Sequence, residues 1–421
     1  MNYFVDDFLS YKLHFIKTDK FKTVNIKIVF SQKAIKNEIT IKNFLSDILT
    51  YSSKKYNTEK KMAMALQDLY AMSLFSSCYR IGKLYNMEIG ASILNEKYAE
   101  KGILKSALKL LSEVIFNPNV IDNKFDEISF DFVKINNKNQ IDSIWENTRK
   151  LSLIRMLEHM DNSKEFSYHG FGYIEDLEKI TPGNLYEYYK KIISNSKIDI
   201  FVLGDIDVDE IKKYIKEFFK FKTIKNKKND LIITHEKIRR IPKKVIEQAH
   251  ISQSKLSIGC KIENLNDFER NYVLPMYSMI LGGGSGSKLF KEVREKNSLC
   301  YYISSSAAKL DNILFITSGI DFNNFDKTIK LIKKEIKNII LGNFSNNDLQ
   351  IAKNQYIAML DEIEDSPFQI ISSYYSVEML GYDSIEIRKE KTNSVTFNDV
   401  KEFASKVHID TIYLLKGIEN E

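Results

Sequence analysis

The sequence predicts an α+β protein built from two homologous domains. The chain has 421 residues, which is more than one ordinary hydrophobic core accommodates and suggests at least two domains. Its apolar fraction of 43% and aromatic fraction of 12% exclude a largely disordered chain. Strand-like and helix-like segments recur in the same order in the two halves. We therefore predict a first domain at 1–220, a Lys-, Asn- and Ile-rich linker at 221–242, and a second domain at 243–421.

The first copy begins with a strand predicted at 23–30 (TVNIKIVF), where apolar and polar residues alternate as in a half-buried strand. A helical stretch follows at 41–49, and a second alternating strand is predicted at 84–89. The clearest helix is 101–116, because its apolar residues fall at helical spacing and Pro118 lies just beyond its end.

The second copy repeats this order, and each copy closes with a helix and a terminal strand. The spacing between corresponding segments shrinks along the chain, so a duplicated domain with a few insertions explains the pattern better than a short-period repeat. The elements predicted for the second copy are a strand at 256–262, a helix at 270–281, a strand at 313–317 and a helix at 325–341 that stops at Gly342. The two terminal strands are predicted at 198–203 and 411–415.

Charge and cysteine content narrow the class of protein. The 62 basic residues nearly balance the 56 acidic ones, and most lysines are spread along predicted helical faces, which argues against a nucleic-acid-binding protein. Three cysteines are too few for a disulfide scaffold and indicate a reducing compartment. The first ten residues lack a signal-peptide core, and no apolar run is long enough to span a membrane. We expect a soluble, cytoplasmic protein with neither a nucleic-acid nor a membrane partner.

The sharpest motif is a glycine-rich loop in the second copy. A phosphate-binding loop needs glycine directly before its lysine, but Ser287 precedes Lys288, and the dinucleotide pattern fails as well. Without a nucleotide role, the alternative is a flexible loop that ends a helix. The glycines of this loop are Gly282, Gly283, Gly284 and Gly286.

Histidine and cysteine offer few other candidates. The segment 155–159 (RMLEH) differs by one residue from an inverted zinc motif, but its first ligand would be an arginine, and we interpret it as a coincidence. The remaining histidines are isolated, and the cysteines form no C-x-x-C pair, so structural roles are expected. No Ser/His/Asp or Cys/His arrangement is evident. The residues concerned are His14, His169, His235, His250, His408, Cys78, Cys260 and Cys300.

The glycine-rich loop and the residues after it resemble a known family. Leu289-Phe290, then Val-Arg-Glu-Lys at 293–296, then Leu299-x-Tyr301 resemble the second domain of pitrilysin/insulinase-type zinc metallopeptidases, in the branch of the mitochondrial processing peptidase and its bacterial relatives. The turn at 202–207 resembles the end of the first domain in that family. The resemblance covers nearly the whole chain. It implies mostly antiparallel sheets with helices packed on one face, and two such domains arranged as half of a clamshell.

The resemblance assigns roles to Arg294 and Tyr301. In the family this pair reaches from the second domain to a substrate held at the zinc site of a first domain. A guanidinium and a phenol can hydrogen-bond a peptide carbonyl and stabilise the developing oxyanion. The alternative roles are a surface arginine at a helix end for Arg294 and a strand-core aromatic residue for Tyr301.

The zinc motif of the family is degenerate in the first copy. The inverted H-x-x-E-H falls on Asn43, Ser46 and Asp47, so both histidines and the glutamate base are missing. The third ligand, a glutamate in the family, falls near Asn137, and another acid of that helix is replaced by Phe130. We therefore predict that this chain holds no metal, and that zinc is present only in a partner.

These features lead to a hypothesis for function. The chain resembles a non-catalytic, peptide-binding subunit of a heterodimeric zinc processing peptidase, inactive alone and supplying Arg294 and Tyr301 to a zinc-bearing sister subunit. A homodimer is the other possible assembly, and an unfolded peptide is the expected substrate. The alternatives are an inert scaffold protein with the peptidase fold, or an autonomous peptidase with an unrecognised site.

Overall fold

The computed structural model describes residues 1–222, 231–235 and 237–418. The first half of the chain alternates between strands of one sheet and the helices that pack on it. Its strands are β1 (Asn2–Asp7), β2 (Lys12–Lys17), β3 (Thr23–Lys33), β4 (Ser73–Ile81), β5 (Leu84–Leu94), β6 (Val120–Ile121), β7 (Lys124–Phe125) and β8 (Lys197–Gly204). Its helices are α1 (Ile39–Tyr51), α2 (Glu59–Gln67), α3 (Ile103–Phe116), α4 (Glu127–Glu146), α5 (Thr148–Asp161), α6 (Ile174–Leu177), α7 (Pro182–Asn195) and α8 (Val208–Phe218).

The second half follows the same plan. Its strands are β9 (Lys243–Ala249), β10 (Ser254–Ile262), β11 (Cys300–Ala308), β12 (Ile313–Ile320) and β13 (Val407–Gly417). Its α-helices are α9 (Leu274–Gly282), α10 (Phe325–Ile340), α11 (Asn346–Glu362), α12 (Pro367–Leu380), α13 (Ile385–Ser394) and α14 (Phe397–Ala404), and π-helical segments cover Glu269–Val273 and Phe290–Lys296. The predicted helix at 270–281 thus begins as a π-helical segment, and Gly342, with φ of 80°, follows α10 as predicted.

The two sheets share one topology. The six-stranded sheet has the order β1-β2-β8-β3-β5-β4, and the five-stranded sheet has the order β11-β12-β10-β13-β9. Each contains one parallel pair, β2 with β8 and β13 with β9, and its other pairs are antiparallel. The sheets therefore correspond strand by strand, with β1 as an addition to the first. The predicted α+β fold with mostly antiparallel sheets is confirmed.

The chain forms two compact units, and each draws on both halves of the sequence. Among the described residues, the first unit comprises 1–142, 169–222 and 366–372. The second comprises 143–168, 231–235, 237–365 and 373–418.

The predicted division into 1–220 and 243–421 stays a prediction, because part of its linker, residues 223–230 and 236, lies outside the described residues. The described residues beside that gap are anchored, since Phe221 is buried in the first unit and the N–H of Ile233 donates to Leu310 O at 2.7 Å in the second.

Each unit has one main apolar core on one face of its sheet. In the first unit, alternate residues of β3 from Val24 to Phe30 pack with the apolar sides of α1 and α3. In the second unit, alternate residues of β10 from Leu256 to Ile262 pack with α9 and α10. The opposite face of the second sheet is covered by α5. This sheet therefore has helices on both faces, whereas the sequence predicted helices on one face.

Helix α5 packs closely on that second sheet because β10 presents small residues to it. The Ser152 hydroxyl lies 2.9 Å from the Ser257 hydroxyl and donates to Lys255 O at 3.2 Å. A Cβ atom at Gly259 would lie 2.2 Å from the Met160 sulfur. A helix from the first half of the sequence thus completes the second unit. None of the helices in the described residues is both long and apolar enough to cross a membrane.

A buried ion pair lies on the face of the first sheet opposite its apolar core. Lys27 Nζ is 3.1 Å from Glu88 Oε2, and the two side chains are 7% and 8% exposed. The Ser77 hydroxyl donates to Glu88 Oε1 at 3.0 Å, and Lys27 Nζ donates to the Ser372 hydroxyl at 3.3 Å. Segment 366–372 therefore contributes to this polar cluster of the first unit.

Replacing one member of this pair is expected to destabilise the chain more than replacing both. Lys27→Met leaves the Glu88 carboxylate buried without a counterion, so the free energy of unfolding should fall by about 3 kcal/mol. The double variant Lys27→Met/Glu88→Leu should recover most of that loss, because an apolar pair replaces the charges. Urea unfolding of the three proteins measures the difference. Equal losses in the single and double variants would contradict a charge-specific role.

Candidate functional site

The degenerate zinc motif lies on α1, which packs against β4 and β5. Asn43 is buried, and its Nδ2 donates to Ile39 O at 2.9 Å, to the Tyr85 hydroxyl at 3.0 Å and to Gly170 O at 3.0 Å. The Tyr85 hydroxyl in turn donates to Gly170 O at 2.6 Å. The amide at the first ligand position is therefore used to connect α1 with β5 and a later loop.

The position of the family's general base also holds a structural side chain. Ser46 is 1% exposed, and burial raises the pKa of the neighbouring Cys78 thiol to about 12. Burial also lowers the pKa of Lys42 to about 8, while its Nζ donates to Tyr85 O at 3.2 Å. No sequence pattern singles out Lys42. A hydroxyl, a protonated thiol and an inaccessible amine do not provide a base for activating water.

Asp47 and Asn137 meet directly. Asn137 Nδ2 donates to Asp47 Oδ2 at 2.8 Å and to Val133 O at 3.2 Å. The structure thus brings the second and third ligand positions of the degenerate motif together, although neither is a histidine or a glutamate. Two helical turns before Asn137, the Phe130 ring stacks on Phe44 with 4.8 Å between ring centroids. Burial raises the pKa of Asp47 to about 6, and the hydrogen bond from Asn137 opposes that rise.

This donor set does not fit zinc. Zinc sites in proteins use deprotonated thiolates, neutral imidazoles and carboxylates, whereas this site offers two amides, a hydroxyl and one carboxylate. Asn137 also directs an amide proton at the carboxylate. Within the described residues, no three His, Cys, Asp or Glu side chains are grouped where they could hold a metal ion.

The zinc-like segment at 155–159 forms an ion-pair network in the second unit. Arg155 binds both carboxylate oxygens of Glu247, with Nη2 at 2.6 Å and Nε at 3.0 Å. His159 Nε2 lies 3.0 Å from the same carboxylate, and the Tyr413 hydroxyl donates to it at 2.7 Å. The hydrogen bonds from Arg155 lower the pKa of Glu247 to about 2. The Glu247 carboxylate is therefore used in an ion pair with Arg155. At the position where the zinc motif would have its first histidine, this segment has a structural cation.

The other isolated histidines and the cysteines have structural surroundings where the contacts are defined. His14 is fully buried, with the Tyr3 hydroxyl 2.8 Å from Nδ1 and Asp199 3.1 Å from Nε2. His235 Nε2 lies 2.9 Å from Asp311 O. Cys78, Cys260 and Cys300 are all free thiols, and burial raises the pKa of Cys260 to about 12.

The glycine-rich loop is a tight connection after α9. A Cβ atom at Gly282 would lie 2.6 Å from the backbone nitrogen of Ser305, so the end of α9 approaches β11 too closely for a side chain. Gly284 has φ of 156°, and its carbonyl accepts from the Ser287 hydroxyl at 2.6 Å. Gly283 similarly lies against Met279, whereas a Cβ atom at Gly286 would make only an ordinary contact, 3.9 Å from Ile351. Most of this loop is therefore explained by packing.

Arg294 and Tyr301 are exposed in the second unit. Arg294 belongs to the π-helical segment after the glycine-rich loop, and its guanidinium carbon lies 4.7 Å from the centre of the Phe290 ring. Short π-helical segments are frequent at functional sites. Tyr301 lies at a β-bulge in the edge strand β11 and is 77% exposed. That exposure excludes a core role for Tyr301. Arg294 is exposed near the end of its helical segment, a position that fits both of its predicted roles.

Comparisons with known proteins agree with this geometry. A family model described as the inactive domain of peptidase M16 matches residues 179–356. The chain is 28% identical over 419 residues to the probable inactive metalloprotease YmfF of Bacillus subtilis (strain 168), with 96% of each chain covered. It is also similar to a conserved protein from Enterococcus faecalis V583, with a TM-score of 0.93 and 26% identity over the whole of both chains. A peptidase M16 inactive domain from Pseudomonas fluorescens shares the fold, with a TM-score of 0.79 and 15% identity over the whole of both chains.

A duplicated α+β chain with a degenerate zinc motif defines a metallopeptidase-like protein that lacks the ligands of a peptidase. The chain is similar to zinc-less proteins of the peptidase M16 family, the pitrilysin/insulinase-type metallopeptidases, through the inactive-domain match at 179–356 and the likeness to YmfF along nearly the whole chain. The family resemblance of the glycine-rich loop and the residues after it is thereby confirmed.

The raised pKa of Asp47 predicts a pH-dependent stability effect. The pKa of Asp47 is about 6 in the folded chain and 3.8 in the reference state. The folded chain therefore binds the carboxyl proton more tightly than the unfolded chain does. At pH values above 6 the ionised Asp47 side chain lowers the free energy of unfolding. Asp47→Asn keeps an acceptor for Asn137 and removes the charge. Its free energy of unfolding should exceed that of the parent by about 1 kcal/mol at neutral pH, with partial exposure limiting the gain.

That gain should vanish as the pH falls through 3.8, because the parent side chain is then protonated in both states. Urea unfolding at several pH values measures it. Asp131→Asn, an exposed change on α4, is the matched control and should show no such trend. A pH-independent difference between Asp47→Asn and the parent would contradict the raised pKa.

The glycine-rich loop yields a second prediction. Gly282→Ala places a Cβ against the Ser305 backbone and should lower the free energy of unfolding by about 2 kcal/mol. Gly286→Ala should change it by less than about 0.5 kcal/mol, because the nearest atom to its Cβ would be 3.9 Å away. Thermal unfolding compares the two variants, and equal effects would exclude close packing as the reason for Gly282.

Proposed function

We propose that this chain is the non-catalytic, peptide-binding subunit of a heterodimeric zinc processing peptidase. A zinc-bearing sister subunit supplies the metal and the base, and this chain supplies Arg294 and Tyr301 to the bound peptide. The observation that carries the proposal is the combination of a degenerate zinc motif with an exposed arginine and tyrosine after the glycine-rich loop. Three free cysteines support a reducing location, and the proposal places the pair in the cytoplasm.

The chain's own residues do not support peptide hydrolysis by the family mechanism. That mechanism needs a metal-bound water and a carboxylate base. The amide of Asn43 is used in hydrogen bonds to Tyr85 and Gly170, and Ser46 is buried. A second copy of the same chain would repeat these residues, so a homodimer also lacks a metal site of this kind. The proposal therefore favours a different sister subunit over self-association.

Arg294 and Tyr301 can bind a peptide in the manner that the family resemblance implies. A guanidinium offers five N–H donors in a rigid fork, and a phenol offers one O–H donor. Their exposure leaves these donors accessible to a ligand. Donors aimed at a peptide carbonyl stabilise the oxyanion that develops when the carbonyl is attacked. Arg294 rests on Phe290, which restricts its position before a ligand arrives.

The test is reconstitution with an H-x-x-E-H protein from the same host. Co-purification should yield a complex that cleaves an unfolded peptide, while the chain alone should not. Arg294→Ala should lower kcat/KM of the complex by about 100-fold, and Tyr301→Phe by about tenfold. Lys296→Ala, an exposed cation in the same π-helical segment, is the control and should retain activity.

Other results would favour the alternatives. Full activity in both variants, or no complex with any such protein, would support an inert scaffold with the peptidase fold. Stoichiometric zinc or peptide turnover in the purified chain alone would support an autonomous peptidase. Elemental analysis and a single-chain peptidase assay measure these outcomes directly.

A further inference from the structure

A cavity of about 350 Å³ opens beside Asp47 in the first unit, between α1, α2, β4 and α4. This volume is at the lower end of the range for ligand pockets, which is about 300–1,000 Å³. It is suited to one long side chain more than to a large ligand. Its apolar wall consists of Met62, Ala63, Leu66, Leu74 and Val133.

The cavity carries negative charge without positive charge. Its lining includes the carboxylates of Asp47 and Glu59, but no lysine, arginine or histidine. This absence is unusual in a chain with 62 basic residues. A larger cavity of the first unit, of about 870 Å³, is lined by three lysines, and another of about 650 Å³ by two. The cavity beside Asp47 therefore favours a cation from outside the chain.

Asp47 lacks a counterion within the described part of the chain. Its carboxylate accepts the hydrogen bond from Asn137, and no lysine, arginine or histidine there pairs with it. Burial raises the pKa of this group to about 6, so it is ionised at neutral pH but incompletely compensated. A cation entering the cavity would pair with a carboxylate that has already lost much of its solvent.

We infer that this cavity binds the lysine or arginine side chain of an unfolded peptide. The apolar wall surrounds the methylene stem, and the carboxylates of Asp47 and Glu59 receive the charged head group, as long basic side chains require. The inference rests on the proposed function, because it names a residue of the peptide that the chain is proposed to bind. It adds a charge preference that the exposed Arg294 and Tyr301 do not provide.

Fluorescence anisotropy with two labelled, unstructured peptides tests the inference. Both peptides are acetylated and amidated and consist of Gly, Ser and Ala, except for one central lysine in the first and norleucine in the second. The full chain should bind the lysine peptide about tenfold more tightly, the size expected for a hydrogen bond to a charged group. Norleucine keeps the apolar stem and lacks the charge, so the comparison isolates the head group.

Variants locate the preference. Asp47→Asn should remove most of the tenfold difference, and a cooperative urea-unfolding transition demonstrates that the variant is folded. Glu59→Gln should reduce the difference by a smaller factor, because Glu59 is exposed. Asp131→Asn removes an exposed acid of α4 outside the cavity lining and should keep the full difference.

The outcomes separate this inference from the proposed function. Equal binding of the two peptides, or a lysine preference that survives Asp47→Asn, would overturn the charge-selective cavity and leave peptide binding intact. Binding of neither peptide would overturn both. Loss of the lysine preference in Asp47→Asn but not in Asp131→Asn supports the inference, whatever the effect of Arg294→Ala on cleavage by the complex.

Discussion

The hydrogen bond from Asn137 to Asp47 determines what the first unit can do. In the family pattern these positions hold two ligands of one metal ion, and here an amide proton points at the carboxylate instead. Asn43 is likewise held by Tyr85 and Gly170. Hydrogen bonds thus keep α1, α4 and β5 together where coordination would otherwise do so. The described residues of the first unit therefore do not provide the ligand set that hydrolytic chemistry of the family type requires.

Duplication produced two sheets with one topology and different surfaces. Ile28 of β3 lies opposite Ile200 and Ile89, and Ile258 of β10 lies opposite Ile412 and Ile316. The core-facing sides therefore match closely. The opposite faces differ, because β10 presents Ser257 and Gly259 to α5 while β3 presents Lys27 to Glu88. Such differences allow two copies of one fold to carry different chemical groups.

The sequence predicts local elements well because periodicity records which side of an element is buried. The strand predicted at 23–30 lies within β3, and the helix predicted at 325–341 ends one residue beyond α10. Periodicity contains no information about distant partners, so it does not reveal that α5 packs on the second sheet. The family resemblance did assign Asn137 and Asp47 to ligand positions of one site, and the structure brings their side chains into contact. The cavity was not foreseeable, because Glu59 and Val133 meet there only through the packing of α2 and α4.

The Asp47 carboxylate is the one ionisable side chain among the degenerate motif positions Asn43, Ser46 and Asp47. Asn43 has hydrogen-bond partners for its amide, whereas the buried Ser46 hydroxyl is neutral and has no hydrogen-bond partner among the described residues. Asp47 keeps a negative charge at neutral pH with one amide donor and a raised pKa. A group of this kind destabilises the free chain, and perturbed carboxylates in cavities are more frequent at binding sites than elsewhere. The loss of the zinc ligands therefore leaves a charge that a basic side chain can neutralise.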